Sequence, residues 1–153
     1  MAAVGWAAAL PAAAWIAARP TAPPLYAFAF TIYAVGSVIC HQLPQRSFHL
    51  WSAQMPVCAR CTGIYVGGAV VAIGVLVHAA RLKRRSTGTA RLKPRPAYNF
   101  SRARSILLVA AIPTIATLVF EWTTGEMPAN GIRALAGCAI GAAVVWAIAS
   151  DVH

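Results

Sequence analysis

Three stretches of this chain are almost free of charge for about as long as a helix needs to cross a bilayer. They run from Pro56 to Ala80, from Ser105 to Phe120 and from Gly131 to Ser150, and none holds more than one Lys, Arg, Asp or Glu. Two shorter apolar runs precede them, Ala2 to Ala18 and Leu25 to Cys40, divided by Arg19 and by Pro20, Pro23 and Pro24. A soluble domain of 153 residues cannot bury five such runs and still wet its surface, which takes about a quarter charged residues. Here charged residues are 10% and hydrophobic ones 59% of the chain. The reading is an all-α integral membrane helical bundle of about five transmembrane helices, or about four if the second run is interfacial or re-entrant. Residues 1–153 form a single membrane domain on this reading. The first run is read as a membrane segment and not a signal peptide, because no Lys or Arg precedes Arg19.

The net charge of +10 would suit nucleic acid, but its placement does not. Nine of the thirteen basic residues fall within residues 81–104: Arg81, Lys83, Arg84, Arg85, Arg91, Lys93, Arg95, Arg102 and Arg104. No acid lies among them, and apolar runs flank them. That is the pattern of a basic cytoplasmic loop, with some attraction to anionic lipid headgroups. Only Tyr98 and Phe100 offer stacking surfaces, so no nucleic acid is expected as a partner. With this loop inside, the protein is a multi-pass cell-membrane protein whose Cys-bearing end is extracytoplasmic.

The unusual polar residues gather at that end: Cys40, His41, Gln42, Arg46, Cys58, Arg60, Cys61, Glu121, Glu126, Asn130 and Arg133. Ionisable groups near a bilayer core are costly, so they pair with one another or serve a function. Proline at a first helical position predicts a helix start at Pro56, with Cys58 and Cys61 on one face of the first turns. Three cysteines and a histidine can close a tetrahedral zinc site. Cys40, His41, Cys58 and Cys61 are therefore the candidate metal ligands, with His49 competing as the fourth, and zinc or another transition metal is the candidate cofactor. The same thiols suit a thiol–disulfide oxidoreductase using Cys58 and Cys61, with Cys40 as a relay and a quinone as electron acceptor. Cys138, among Ala and Gly, reads as packing. Glu121 and Arg133 end adjacent antiparallel helices and read as a structural ion pair, and Asn130 reads as a helix cap. Gly63 and Gly67, and again Gly137 and Gly141, sit four apart, which lets helices approach closely within the chain or in a homo-oligomer.

The run Ile39-Cys40-His41-Gln42, then Pro44 and Arg46-Ser47-Phe48, then Pro56-Val57-Cys58-Ala59-Arg60-Cys61-Thr62-Gly63-Ile64-Tyr65 with Gly67, resembles a family of small bacterial and archaeal membrane proteins, domain of unknown function 2085. Asn130, Arg133 and Gly137 extend the resemblance, and Glu121 stands where the family's acid is expected as Asp. The resemblance implies a multi-helix membrane protein and no particular activity. The residues leave three functions open: metal binding first, thiol–disulfide exchange second, and a non-enzymatic transport or assembly role third. Whether the chain is an enzyme stays open at this stage.

Overall fold

The computed structural model describes residues 2–20, 22–85 and 100–152. Its elements are α1 (Ala2–Ala17), α2 (Pro23–Ile39), a 3-10 turn (Pro44–Arg46), β1 (Ser47–Leu50), β2 (Ala53–Cys58), α3 (Ala59–Arg85), α4 (Phe100–Thr124) and α5 (Asn130–Val152). The architecture is an all-α bundle with one small antiparallel hairpin. Three helices, α3, α4 and α5, are long and apolar enough to cross a membrane. The two shorter apolar helices fall below that length: the 17 residues of α2 reach only about 25 Å. The expectation of about five spans thus becomes three clear spans with two shorter helices packed beside them.

The direction in which the apolar side chains point identifies the solvent. On α4, Leu108, Val109, Ile112, Ile115 and Val119 are all exposed. Val38 on α2 is 86% exposed and Leu135 on α5 is 73% exposed. Water would penalise such a surface over several whole helices, whereas hydrocarbon does not. The buried hydrophobic residues of the long helices are small instead, among them Ala69, Ala136, Ala143 and Ala147.

Close backbone approach holds α3 to α5. A Cβ on Gly63 would strike the Ala134 carbonyl, and one on Gly67 the Cys138 carbonyl. From the other side, Gly137 faces the Arg60 carbonyl and Gly141 the Ile64 carbonyl. The two glycine pairs therefore interlock with each other in a parallel pair of helices, and these faces are used within the chain. The Cys138 backbone lies at this contact. The antiparallel α4 closes against α5, where the Thr114 hydroxyl donates to the Ala136 carbonyl at 3.0 Å.

Residues 47–58, expected as loop followed by helix, form the hairpin instead. Pro56 lies in β2 rather than at a helix start, and α3 begins at Ala59. The register runs from Leu50↔Ala53 and His49↔Gln54 to Ser47↔Cys58, with an irregularity between Ser47 and His49. Pro56 sits in that irregularity, where a residue without an N–H leaves no ladder bond unmade. Trp51 and Ser52 form the two-residue turn, both with positive φ (52° and 67°), as the twist of a tight hairpin demands. The middle of β2 is inserted into the bundle: Met55, Pro56 and Val57 are buried, and Met55 and Val57 join a cluster with Leu10 and Ala13 of α1 and Ile32 of α2.

Part of the basic segment expected as loop is helical. Arg81, Lys83, Arg84 and Arg85 continue α3, and Arg102 and Arg104 lie in the first turns of α4. Lys and Arg are good helix formers, and their long stems let the charge leave the apolar zone without ending the helix. At the end of α3 they also oppose the negative pole of its backbone dipole. Arg91, Lys93, Arg95 and Tyr98 lie outside the described residues.

Candidate functional site

Three elements deliver the three thiols to one point. Cys40 is the residue that ends α2: its amide still bonds the Gly36 carbonyl at 2.9 Å, while its own backbone is extended (φ −147°, ψ 139°). Cys58 closes β2, and Cys61 follows in the first turn of α3. All three sulfurs lie within 4.8 Å of one another. The Cys58 amide donates to the Cys40 sulfur at 3.2 Å, which ties the end of α2 to the start of α3.

Neither candidate histidine joins the thiols. An extended residue sends its side chain opposite to its neighbour's. With Cys40 turned into the core, His41 is therefore exposed, although it still borders the same cavity. His49 is exposed on β1, across from Gln54. Among the described residues the ligand group is the three cysteines alone.

The Cys58 thiol is pulled well below its ordinary range. The Cys61 thiol at hydrogen-bond distance is the main cause, and the Cys61 amide, the Cys40 thiol and the Arg60 amide reinforce it against the effect of burial. The positive end of α3 begins at this point, where a thiolate is favoured.

The thiols form one side of a cavity of about 390 Å³. Arg46, Arg60 and Arg133 line it too, with Ile39, Leu43 and Ile64 as its apolar wall. Arg133 is the largest fully buried side chain among the described residues, at 2% exposure. It forms an ion pair with Glu121, which is itself buried. Arg60 reaches the same carboxylate at 3.6 Å and donates to the Thr117 hydroxyl at 3.2 Å. The expected pairing of Glu121 with Arg133 is thus present, and Arg60 makes it a cluster of three charges. Thr117 is a participant that sequence reasoning passed over. It precedes Glu121 by four residues and so shares its helix face, a spacing that could have singled it out.

Two other candidates hold the irregular backbone. Non-helical backbone at membrane depth is tolerated where protein groups satisfy it. Gln42, with φ 48°, donates its amide to the Pro56 carbonyl at 2.6 Å and to the Tyr33 carbonyl at 2.9 Å. Gln54 answers by donating to the Gln42 carbonyl at 2.5 Å, and the Tyr33 hydroxyl donates to the Gln54 carbonyl. Gln54 was not among the sequence candidates, since a polar residue in an apparent loop gives no signal. Asn130 is the first residue of α5 and not its cap. Its amide donates to the Ser47 carbonyl at 3.1 Å, which pins α5 to β1. Glu126 is exposed in the α4–α5 connection and is not among the residues that line the cavity.

Residues 40–147 match the family described as "Predicted membrane protein (DUF2085)". An uncharacterized protein of Methanocaldococcus jannaschii, MJ1492, is 53% identical over 47 residues, covering 31% of this chain and 28% of that protein. An uncharacterized protein of Methanothermobacter thermautotrophicus is 55% identical over 29 residues, covering 19% of this chain and 26% of its own. The matched segments span less than a third of either curated relative. No solved structure is detectably similar. The family match covers most of the chain, from Cys40 through α5, and takes in all three clustered cysteines, Arg60, Glu121 and Arg133: the protein belongs to the DUF2085 family of membrane proteins.

Proposed function

We propose that this membrane protein binds a transition-metal ion, zinc by preference, through Cys40, Cys58 and Cys61. The observation that carries the reading is the convergence of three sulfurs within 4.8 Å, from the end of α2, the end of β2 and the first turn of α3. Sulfurs around a tetrahedral zinc sit about 3.8 Å apart, so the group needs to close by no more than about an ångström. The donor set is soft and compact, as zinc prefers. A depressed Cys58 thiol favours the thiolate that a metal requires. Water, an added ligand or a turned His41, which lines the same cavity, would complete the coordination. With water there the ion would act as a Lewis acid, and with His41 it would be a structural tie between α2 and α3.

The test is elemental analysis of protein purified in detergent without chelators, beside a Cys58→Ser, Cys61→Ser double variant. About one equivalent of metal in the parent, lost in the variant, is the expected result. No metal in the parent protein overturns the reading.

One observation favours thiol–disulfide exchange as a second reading: Cys58 carries a lowered thiol with Cys61 in hydrogen-bond contact, the arrangement of an attacking and a resolving thiol. The three guanidinium groups beside the pair weigh against a quinone there, because a quinone site is mainly apolar. Trapping the thiols in membranes with and without reductant decides it: a Cys58–Cys61 disulfide that forms and breaks reversibly supports exchange over metal. The extracytoplasmic placement of the cysteines rests on the basic segment at the opposite end of the bundle. Labelling by a membrane-impermeant maleimide in intact cells tests it. An assembly role ranks below both, since the glycine faces that would associate subunits are spent on the α3–α5 contact.

A further inference from the structure

The cavity beside the thiols holds a second kind of chemistry that the metal reading does not use. Among the described residues, three buried side-chain nitrogen or oxygen atoms lack any hydrogen-bond partner, and they are the Nε atoms of Arg46, Arg60 and Arg133. All three arginines line this one cavity. Buried N–H donors left unmet are costly and rare in native structures, and an unmet guanidinium donor more so. Arg133 is only 2% exposed, so bulk water does not solvate it.

The charges do not balance either. Glu121 is the one carboxylate in ion-pair reach of these arginines, shared by Arg60 and Arg133, and Arg46 has no such partner among the described residues. Three guanidiniums against one carboxylate leave an excess of positive charge in a partly apolar enclosure, where water screens it poorly. The first turn of α3, carrying Arg60, adds the positive pole of its backbone.

From these observations we infer that the cavity is an anion site for a phosphate-type group, bound by Arg46, Arg60 and Arg133. A tetrahedral oxyanion presents several acceptor oxygens to donors arriving from three directions, and arginine is suited to it. A cavity of about 390 Å³ takes inorganic phosphate with water, or the headgroup of an anionic phospholipid. Ile39 and Leu43, half and about two-fifths exposed, form an apolar rim along which acyl chains would lie in the second case. The inference does not depend on a metal at the cysteines.

The experiment is a titration of the purified full chain with inorganic phosphate, read as a shift in thermal unfolding against chloride at matched ionic strength. A parallel arm measures stability in nanodiscs of phosphatidylcholine with and without phosphatidylglycerol. Arg46→Gln is the main variant, because Arg46 makes no ion pair whose loss would unfold the protein. Arg60→Gln, which removes the second guanidinium, is the second variant. The expected result is a saturable stabilisation in one arm, weakened about tenfold or more in Arg46→Gln, the loss of one charge-assisted hydrogen-bonding group. Saturation by inorganic phosphate identifies a free oxyanion, and a response confined to phosphatidylglycerol identifies a lipid headgroup. The same titration on the Cys58→Ser, Cys61→Ser protein keeps the result separate from metal binding. No stabilisation in either arm beyond matched chloride, or equal stabilisation of the parent and both arginine variants, overturns the proposal.

Discussion

Replacing Glu121 by Gln removes one charge from a cluster that cannot spare it. Arg133 is 2% exposed, and Glu121 is its one ion-pair partner among the described residues. Breaking a buried pair by deleting one partner costs about 3–5 kcal/mol, because the remaining charge stays desolvated. Arg60 contributes less to that figure. Its contact with Glu121 is 3.6 Å, its side chain is 18% exposed, and it keeps Thr117. Most of the cost is therefore the stranded Arg133 charge, and Glu121→Gln is expected to destabilise by about 3 kcal/mol, with the amide oxygen still accepting a hydrogen bond. That is a large share of the roughly 5–15 kcal/mol that holds a domain together. Glu121→Asp keeps the charge and is expected to cost less than half as much. The double variant Glu121→Gln, Arg133→Gln has no stranded charge, so its destabilisation should fall well short of the sum of the two single ones, with a coupling of about 2 kcal/mol or more. The assay is reversible unfolding in mixed lipid–detergent micelles on adding a denaturing detergent, followed by tryptophan fluorescence. A single-variant cost below about 1 kcal/mol, or additive single effects, would refute the reasoning.

Two further outcomes follow from the geometry. Gly67→Ala and Gly141→Ala each place a methyl group against a carbonyl of the partner helix and should cost about 1–3 kcal/mol, whereas Gly74→Ala, with nothing within 4 Å, should be neutral or slightly stabilising. Equal effects at the three sites in the same unfolding assay would show that α3 and α5 do not meet through these glycines. In metal-stripped protein, Cys58 should alkylate readily at about pH 6, well below the range of a free thiol, and lose that reactivity as the pH falls further and the thiolate is protonated. Cys61→Ala removes the chief hydrogen bond holding the thiol down, so the alkylation profile should move to higher pH, and an unmoved profile would show that Cys61 does not tune Cys58.

The helices were legible in the sequence because each is an apolar run of nearly full bilayer length, and lipid rewards that property directly. Their partners were less so. The four-residue spacing of Gly63 and Gly67 marks a face for close approach, but the same spacing serves contacts within a chain or between chains, and only the folded structure pairs it with Gly137 and Gly141. The hairpin was hidden for a different reason. Its strands are 4 and 6 residues long, its turn is Trp51-Ser52 rather than Asn-Gly, and Pro56 reads equally well as the start of a helix. The thiol cluster was foreseeable from residue type, and the histidine was not. Which side of the chain His41 takes depends on the extended backbone of Cys40, and adjacency in sequence carries no such information. Arg46 was recognised as unusual, yet its lack of a counter-charge appears only when the cavity brings it beside Arg60 and Arg133.

The two proposals for this cavity constrain each other through charge. Three thiolates around a divalent ion carry about one net negative charge. Lining the same cavity as three guanidiniums, that charge is favourable, and it lowers the cost of keeping arginine at membrane depth. Glu121 answers a second positive charge, chiefly that of Arg133. One guanidinium is still left without an opposite charge, and the geometry says which it is: Arg46, at the end of the 3-10 turn, has neither an ion pair nor a partner for its Nε. A loaded metal site and a bound anion are therefore compatible, and together they come close to neutralising a cavity that the chain alone leaves positive. Without metal the Cys58 thiolate still supplies about one negative charge, so the surplus guanidinium remains. Anion binding at Arg46 is therefore expected with or without the metal, and the two sites belong in one account although neither inference needs the other.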